Sequence, residues 1–375
     1  MNNMKKQILF LIHDLGQGGA EKVLVNLVNN MDRTKFDITV MSLFGGGVNE
    51  RYLNPNIRYI TVFKHMIPGN SKLMKLFSSK QLHKYFIRDQ YDIEISYLEG
   101  PAARIVSGCC SPCTQLINWV HVEQRTRGAA SHSFRNEKEA ECCYGRFHRH
   151  VFVADTVRED FLNIFPQVKD KPCEVLYNTV ESDNIMTLSQ EKADEIVEDG
   201  CIKLVSTGTL KEVKGFDRLL RIVNRLTANE HRIHLYLLGK GPLKEQLEEY
   251  VNDNQMNNVV TFLGYQTNPY KYVAKCDLFV CSSHREGFST AATEALIVGT
   301  PVCTTEVSGM REMLGDNNEY GIVTENSEEA LYNGIKQLLD NQELLAHYKE
   351  RAAERGKMFS TEKTVRAVED MLLSL

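Results

Sequence analysis

The feature that most restricts the fold of this chain is a repeated alternation. Short, uninterrupted Val- and Ile-rich runs take turns with amphipathic segments, and the series runs twice. The first series holds "QILFLIH" (7–13), "FDITVMSL" (36–43), "IRYITVF" (57–63), "YDIEISYL" (91–98), "QLINWVH" (115–121), "HVFVAD" (150–155) and "CEVLYN" (173–178). After residue 200 it restarts with "IKLVSTGTL" (202–210), "IHLYLLGKG" (233–241), "VVTFLG" (259–264), "DLFVCSS" (277–283) and "TPVCTTE" (300–306). Runs apolar on both faces are the mark of parallel strands covered by helices on either side. Helical crossovers between parallel strands build doubly wound α/β sheets. The expectation is therefore two Rossmann-like domains, 1–180 and 201–355. A linker at 181–200 joins them, since "SDNIMTLSQEKADEIVEDG" is acidic and lacks a strand pattern. The end, 356–375, reads as a helix that crosses back to the first domain.

At 375 residues the chain suits two cores rather than one. No apolar run approaches the roughly 20 residues of a membrane span. The basic tip and apolar start suggest a signal peptide, but Asp14 and a glycine-rich loop follow without a cleavage site, so a first strand and a cytoplasmic location are expected. Of the net charge of −5, residues 1–185 carry +3 and the remainder −8, which points to halves with different partners. The ten cysteines include Cys110-Ser-Pro-Cys113, with Cys142, Cys143, His148 and His150 downstream. That spacing fits no standard zinc finger, and the cysteines are read as small core residues.

Ligands of open α/β sheets sit beyond the carboxyl ends of strands, and the notable motifs lie there. "HDLGQGGAEKV" (13–23) sets Gly16, Gly18 and Gly19 between a strand and a helix; it serves either as a tight turn or for close approach of a sugar or phosphate. Glu21 stands where a dinucleotide loop has its third glycine, which argues against a pyrophosphate beside it. "STGTLKEVKGF" (206–216) carries Thr209, Lys211 and Lys214 before Gly215; these are solvated loop lysines or neutralise a diphosphate. Gly239 and Gly264 close two further strands and, alone, read as turns. "HREGFSTAATEA" (284–295) predicts a helix start near Gly287–Ser289. Its amides at Phe288, Ser289 and Thr290 would favour an anion, flanked by Glu286 and Glu294. A diphosphate bearing hydroxyls on both sides, a nucleotide sugar, satisfies both acids.

Taken together, "GQGGAE", "VLYNTVE", "TGTLKEVKG", "LLGKGP", "FLGY", "EGFSTAATEA" and "GTPVCTTEVSGMREML" occur in an order that resembles family 4 of the retaining glycosyltransferases, across nearly the whole chain. "EGFSTAATEA" is similar to that family's E-x7-E motif. The resemblance implies the GT-B fold, two Rossmann-like domains facing across a cleft, and retaining transfer of a sugar from a nucleotide sugar, UDP foremost. It implies a glycan or undecaprenyl-diphosphate-linked acceptor, as in capsule or exopolysaccharide synthesis, with no nucleic acid partner. No D-x-D occurs, consistent with a fold class that usually needs no metal; no cofactor is expected. By the same resemblance Glu286 contacts the sugar hydroxyls, Glu294 the ribose and Lys214 the diphosphate. His121 lies near the reacting centre, and Gly16, Gly18 and Gly19 border sugar and acceptor. The family usually has arginine where Thr209 stands; Lys211 is the candidate to replace it. A weak or inactive nucleotide-sugar binder and a same-fold epimerase are the alternatives. Finally, 64–88 holds six Lys/Arg and no acid before Asp89, with Leu73, Leu76, Phe77, Leu82, Tyr85 and Phe86 at near-helical spacing. It reads either as an ordinary surface helix or as a face for the inner side of the cell membrane or a lipid diphosphate. A second basic stretch, 125–138, follows His121.

Overall fold

The computed structural model describes residues 5–16, 18–66, 69–196 and 200–375. Gln17 in the first glycine loop, residues 67 and 68 of the basic segment, and 197–199 of the acidic stretch lie outside the described residues.

The chain divides into two compact units, Met1–Val180 with Glu362–Leu375, and Glu181–Thr361. The first is built on β1 (Lys6–Ile12), β2 (Phe36–Phe44), β3 (Arg58–Phe63), β4 (Ile93–Ser96), β5 (Gln115–Val120), β6 (Arg149–Phe152) and β7 (Cys173–Val175), in spatial order 3-2-1-4-5-6-7. The second holds β8 (Ile202–Thr207), β9 (Ile233–Leu238), β10 (Val260–Gly264), β11 (Leu278–Cys281), β12 (Val302–Thr305) and β13 (Ile322–Thr324), in order 10-9-8-11-12-13. Every paired strand is parallel. Renumbered within its own unit, the second sheet also reads 3-2-1-4-5-6, the doubly wound order. The strand order reverses between β1 and β4 in one unit and between β8 and β11 in the other. Helices cover both faces, so the central strands are buried end to end; Ile8 to Ile12 are 0% exposed.

The sequence pattern missed β13. It is three residues long, and "IVT" is too short to show a period. The stretch 181–200 is also more than a tether. It opens with the helix Ser182–Ser189, whose Ile185 and Ser189 are buried, and Asn268 Nδ2 donates to Leu188 O at 2.9 Å. The helix Thr361–Leu373 packs on the first unit, where Lys6 Nζ donates to Leu372 O at 3.0 Å and Asp32 N to Glu369 Oε1 at 2.5 Å. The two chain crossings are tied in the second unit: Ser182 N donates to Thr361 Oγ1 at 2.8 Å, and Thr361 N to Ser182 Oγ at 3.1 Å.

Candidate functional site

In the second unit the residues singled out by sequence converge on the carboxyl ends of β8 and β11, on either side of the order reversal. After β8 the backbone passes Gly208, turns through Glu212–Lys214 and enters the helix Phe216–Ala228 at Gly215, with φ 61°. Glycine is required there twice over. The left-handed conformation disfavours other residues, and a Cβ would stand 2.2 Å from Ser282 O. This close approach brings the Lys214 loop against the end of β11. Ser282 Oγ donates to Lys214 O at 2.9 Å. Beneath it the buried Arg218 donates to Ser282 O at 2.7 Å, to Ser283 O at 2.6 Å and to Asn326 Oδ1 at 2.9 Å, locking the helix to the strand end.

On this brace sits the central contact. Lys214 Nζ meets Glu286 Oε1 at 2.6 Å, and Ser283 Oγ donates to the same oxygen at 2.6 Å. The side chains are 27% and 11% exposed, so the pair is mostly shielded yet reachable. Burial opposes the ammonium charge, but the Glu286 carboxylate outweighs it and Lys214 titrates above its ordinary value. A fixed cation therefore stands at the switch point with an acid beside it.

The helix after Glu286 starts later than its sequence suggests. It spans Thr290–Ile297, and Ser289 is its N-cap, with Oγ accepting from Ala292 N at 3.4 Å. The first-turn amides are thus those of Thr290 and Ala291, not those of Phe288 and Ser289. The cause is packing. Phe288 is 6% exposed and packs on Phe359, ring centroids 5.9 Å apart and planes tilted by 60°, which holds Gly287–Phe288 outside the helix. Glu294 lies one turn inside, half-buried, and Tyr270 Oη donates to its Oε1 at 3.3 Å. Gly239 and Gly264 continue the same rim: Gly208 N donates to Leu238 O at 2.9 Å, and Gly239 N to Gly264 O at 2.8 Å. A Cβ on Gly239 would meet Gly208 O at 1.8 Å. Thr209 and Lys211 are exposed at the edge of this site.

The first unit has a counterpart at the ends of β1, β4 and β5. The helix Gly19–Asn30 opens at Gly18, over which the Glu21 carboxylate folds: a Cβ on Gly18 would lie 2.0 Å from Glu21 Oε2. Burial pushes the Glu21 carboxyl up. Gly16 N donates to Asp14 Oδ1 at 2.7 Å, and His13 Nδ1 lies 2.7 Å from Asp14 Oδ2; the histidine contact holds this carboxyl below its usual range. His121, just past β5, is 6% exposed, and its ring packs 4.8 Å from that of Tyr97. Its backbone N donates to Glu99 Oε2 at 3.1 Å. Burial lowers its imidazole to about 3, so it is neutral near pH 7. His121 Nε2 and Tyr97 Oη are buried without a hydrogen-bond partner among the described residues. Such orphaned polar atoms at a sheet's carboxyl end are places for ligand groups.

Sequence reasoning overlooked Ser283, Arg218, Tyr270, Tyr97 and Glu99. Ser283, Tyr97 and Glu99 follow strands directly, so the strand-end rule that found Lys214 and His121 also reaches them. Arg218 lies inside a helix and gave no signal. The cysteines divide. Cys109, Cys143, Cys276, Cys281 and Cys303 are buried, but Cys110, Cys113 and Cys142 are exposed rather than core residues. His148 and His150 serve the sheet: His148 Nδ1 accepts from Leu116 N at 2.9 Å, and His150 Nδ1 lies 3.2 Å from Asn118 Nδ2.

Three comparisons bear on this arrangement. A family model described as "Glycosyl transferases group 1" matches residues 189–355. The chain is 34% identical, over 97% of its length and 98% of the relative's, to the N-acetylgalactosamine-N,N'-diacetylbacillosaminyl-diphospho-undecaprenol 4-alpha-N-acetylgalactosaminyltransferase of Campylobacter jejuni subsp. jejuni serotype O:2. Among solved structures it is similar to Anabaena HepE in complex with UDP and glucose. That match has TM-score 0.76 and 18% identity, covering 99% of this chain and 100% of the other. It is also similar to sucrose-phosphate synthase from Thermosynechococcus elongatus, with TM-score 0.79, 15% identity and 99% of each chain covered.

Proposed function

This chain belongs to the group 1 glycosyl transferases and has their GT-B fold, and from that premise we propose that it transfers a hexosyl residue, with retention, from UDP-sugar to a lipid-diphosphate-linked glycan. The observation that carries this reading is the Lys214–Glu286 contact at the β8–β11 switch point. Departure of a nucleoside diphosphate builds negative charge on the phosphates. Lys214, kept protonated by Glu286, is fixed to receive it, and the Thr290 and Ala291 amides add a second source of positive potential. Glu286 accepts from the sugar hydroxyls, and Glu294 accepts from the ribose hydroxyls beside Tyr270. The base is taken as uridine because the fold neighbour HepE holds UDP.

Retention follows if the leaving phosphate takes the proton of the acceptor hydroxyl on the face it vacates, which needs no protein nucleophile. In the first unit, His121 is neutral near pH 7 and its Nε2 has no hydrogen-bond partner among the described residues, so it offers a hydrogen bond to a ligand group without adding a cation. No metal is assigned, since Lys214 supplies the charge that a divalent ion supplies elsewhere.

The acceptor is assigned from the 34% identical relative, whose name specifies a diphospho-undecaprenol substrate, and from the surface of 64–88. Met66, Leu73, Leu76, Phe77 and Tyr85 are 46–73% exposed there, next to exposed Lys72, Lys80 and Lys84, while Leu82 turns into the core. Arg104 and Arg135 hold this turn, donating to the carbonyls of Met74, Phe77, Lys75 and Leu76. Apolar tips among lysines suit the surface of an anionic membrane, where the acceptor resides. No helix among the described residues is long and apolar enough to cross a membrane. The site feeds capsule or exopolysaccharide assembly.

The test is to incubate the protein with a panel of nucleotide sugars and a synthetic polyprenyl-diphosphate glycan. Product is followed by mass spectrometry and its anomeric configuration by NMR. An α-linked product from a UDP-α-sugar supports the proposal; a β-linked product refutes retention. The exposed Thr209 favours one other reading, a weak or inactive donor binder, which predicts UDP-sugar binding without transfer.

A further inference from the structure

Among the described residues, a cluster of donor groups outside the sites already described has no role in the reaction. His83 lies on the helix Ser79–Phe86, Glu94 on β4, and Cys109 just beyond the helix Pro101–Val106. Their ligand atoms all lie within 4.8 Å of one another. We propose that His83, Glu94 and Cys109 form a structural zinc site that staples the helix Ser79–Phe86 to the sheet of the first unit.

Donor chemistry is the first reason. Imidazole, carboxylate and thiolate together make a set that selects Zn²⁺ over hard cations. Burial is the second: the side chains of His83 and Glu94 are 14% and 2% exposed, and Cys109 is 3% exposed. Bulk water does not reach them, so each finds its partners inside. His83 Nε2 meets Glu94 Oε2 at 2.8 Å, and the Cys109 thiol joins the same imidazole. The third reason is support. Gly108 is pressed so closely on the helix that a Cβ would meet Ser79 O at 2.1 Å and His83 Cβ at 2.9 Å. The helix start is fixed by a Ser78–Gln81 capping box, and Arg146 Nη2 donates to Cys109 O at 2.6 Å. Three rigid elements therefore present one donor each. A tetrahedral zinc with bonds of about 2.0–2.3 Å holds its donors a little over 3 Å apart, within reach of small side-chain adjustments.

Zinc here would take imidazole nitrogen, thiolate sulfur and carboxylate oxygen as its donors, and a single buried water would complete the tetrahedron. A staple here would set the stiffness of the helix carrying Lys80, Lys84 and Tyr85.

The test uses the full chain, purified without a metal-binding tag from zinc-supplemented cells, desalted and assayed for metal by mass spectrometry. One zinc per chain is expected. Cobalt substitution should give a thiolate charge-transfer band. Cys109→Ser should lose the band and weaken zinc by more than the about 10–100-fold caused by loss of a supporting partner. A Cys110→Ser/Cys113→Ser double variant should keep both. Wild-type protein with neither zinc nor a cobalt band overturns the site. So does Cys109→Ser that retains both, or a band that vanishes only in the double variant, which would place the metal on the exposed thiols.

Discussion

Replacing Lys214 by alanine separates the chemical role of this residue from its part in the fold. The Lys214 side chain is 27% exposed and its ammonium meets Glu286 at 2.6 Å, so its removal leaves the carboxylate of an 11% exposed side chain with Ser283 as remaining partner. Breaking a buried pair costs about 3–5 kcal/mol. Here Ser283 and partial access to water keep the loss at or below about 3 kcal/mol, tolerable for a two-unit chain. The chemical loss is separate. Removing one group aimed at a developing anion costs about 2.7–4 kcal/mol, or roughly 100- to 1,000-fold in kcat. The assay is initial-rate kinetics at saturating donor and acceptor, on protein whose folded fraction is matched by circular dichroism. A Lys214→Ala/Glu286→Gln double variant completes the cycle, and less-than-additive loss is expected because the two act as a unit. Lys214→Ala with wild-type kcat and a lowered Tm would show that the lysine only braces the loop, and the phosphate role would fall.

The two acids should fail differently: Glu294→Gln raises the donor KM while kcat stays within about twofold, whereas Glu286→Gln lowers kcat, and equal purely thermal effects in both would contradict the assignment. Gly215→Ala combines a left-handed residue with a Cβ 2.2 Å from Ser282 O, so its stability should fall by about 2–4 kcal/mol in chemical denaturation. His121 is neutral in the folded protein down to about pH 3, whereas its unfolded pKa is about 6.5. The unfolded chain therefore binds the extra proton, and this contribution to stability is complete above pH 6.5 and lost as pH falls towards 3. His121→Gln should flatten the fall of Tm between pH 6.5 and 4; an unchanged slope would contradict the burial argument. Adding magnesium or manganese should leave turnover unchanged, and strict dependence on either ion would refute the metal-free assignment.

The doubly wound architecture was legible because a strand buried on both faces must be apolar throughout, and twelve such runs stand out. β13 was not, since three residues carry no period. Lys214 and Glu286 each stood at a strand end in the sequence, but their 2.6 Å contact did not follow from it. They are 72 residues apart, and their meeting depends on the reversal of strand order between β8 and β11. The late helix start at Thr290 was hidden for another reason: tertiary packing of Phe288 on Phe359 overrides the local preference of "EGFST". Likewise the exposure of Cys110, Cys113 and Cys142 reflects loop and helix-face positions that composition does not reveal.

Hydrogen–deuterium exchange with and without UDP tests most directly where the donor sits. At 100 times its Kd the ligand stabilises the folded state by about 2.7 kcal/mol, enough to slow exchange strongly in the amides it covers. Protection is predicted in two separate stretches, 207–216 after β8 and 283–297 after β11, and it should vanish from both in Lys214→Ala. Protection confined to other segments, or undiminished in the variant, would contradict the claim that Lys214, beside Glu286 at the β8–β11 switch point, holds the nucleoside diphosphate.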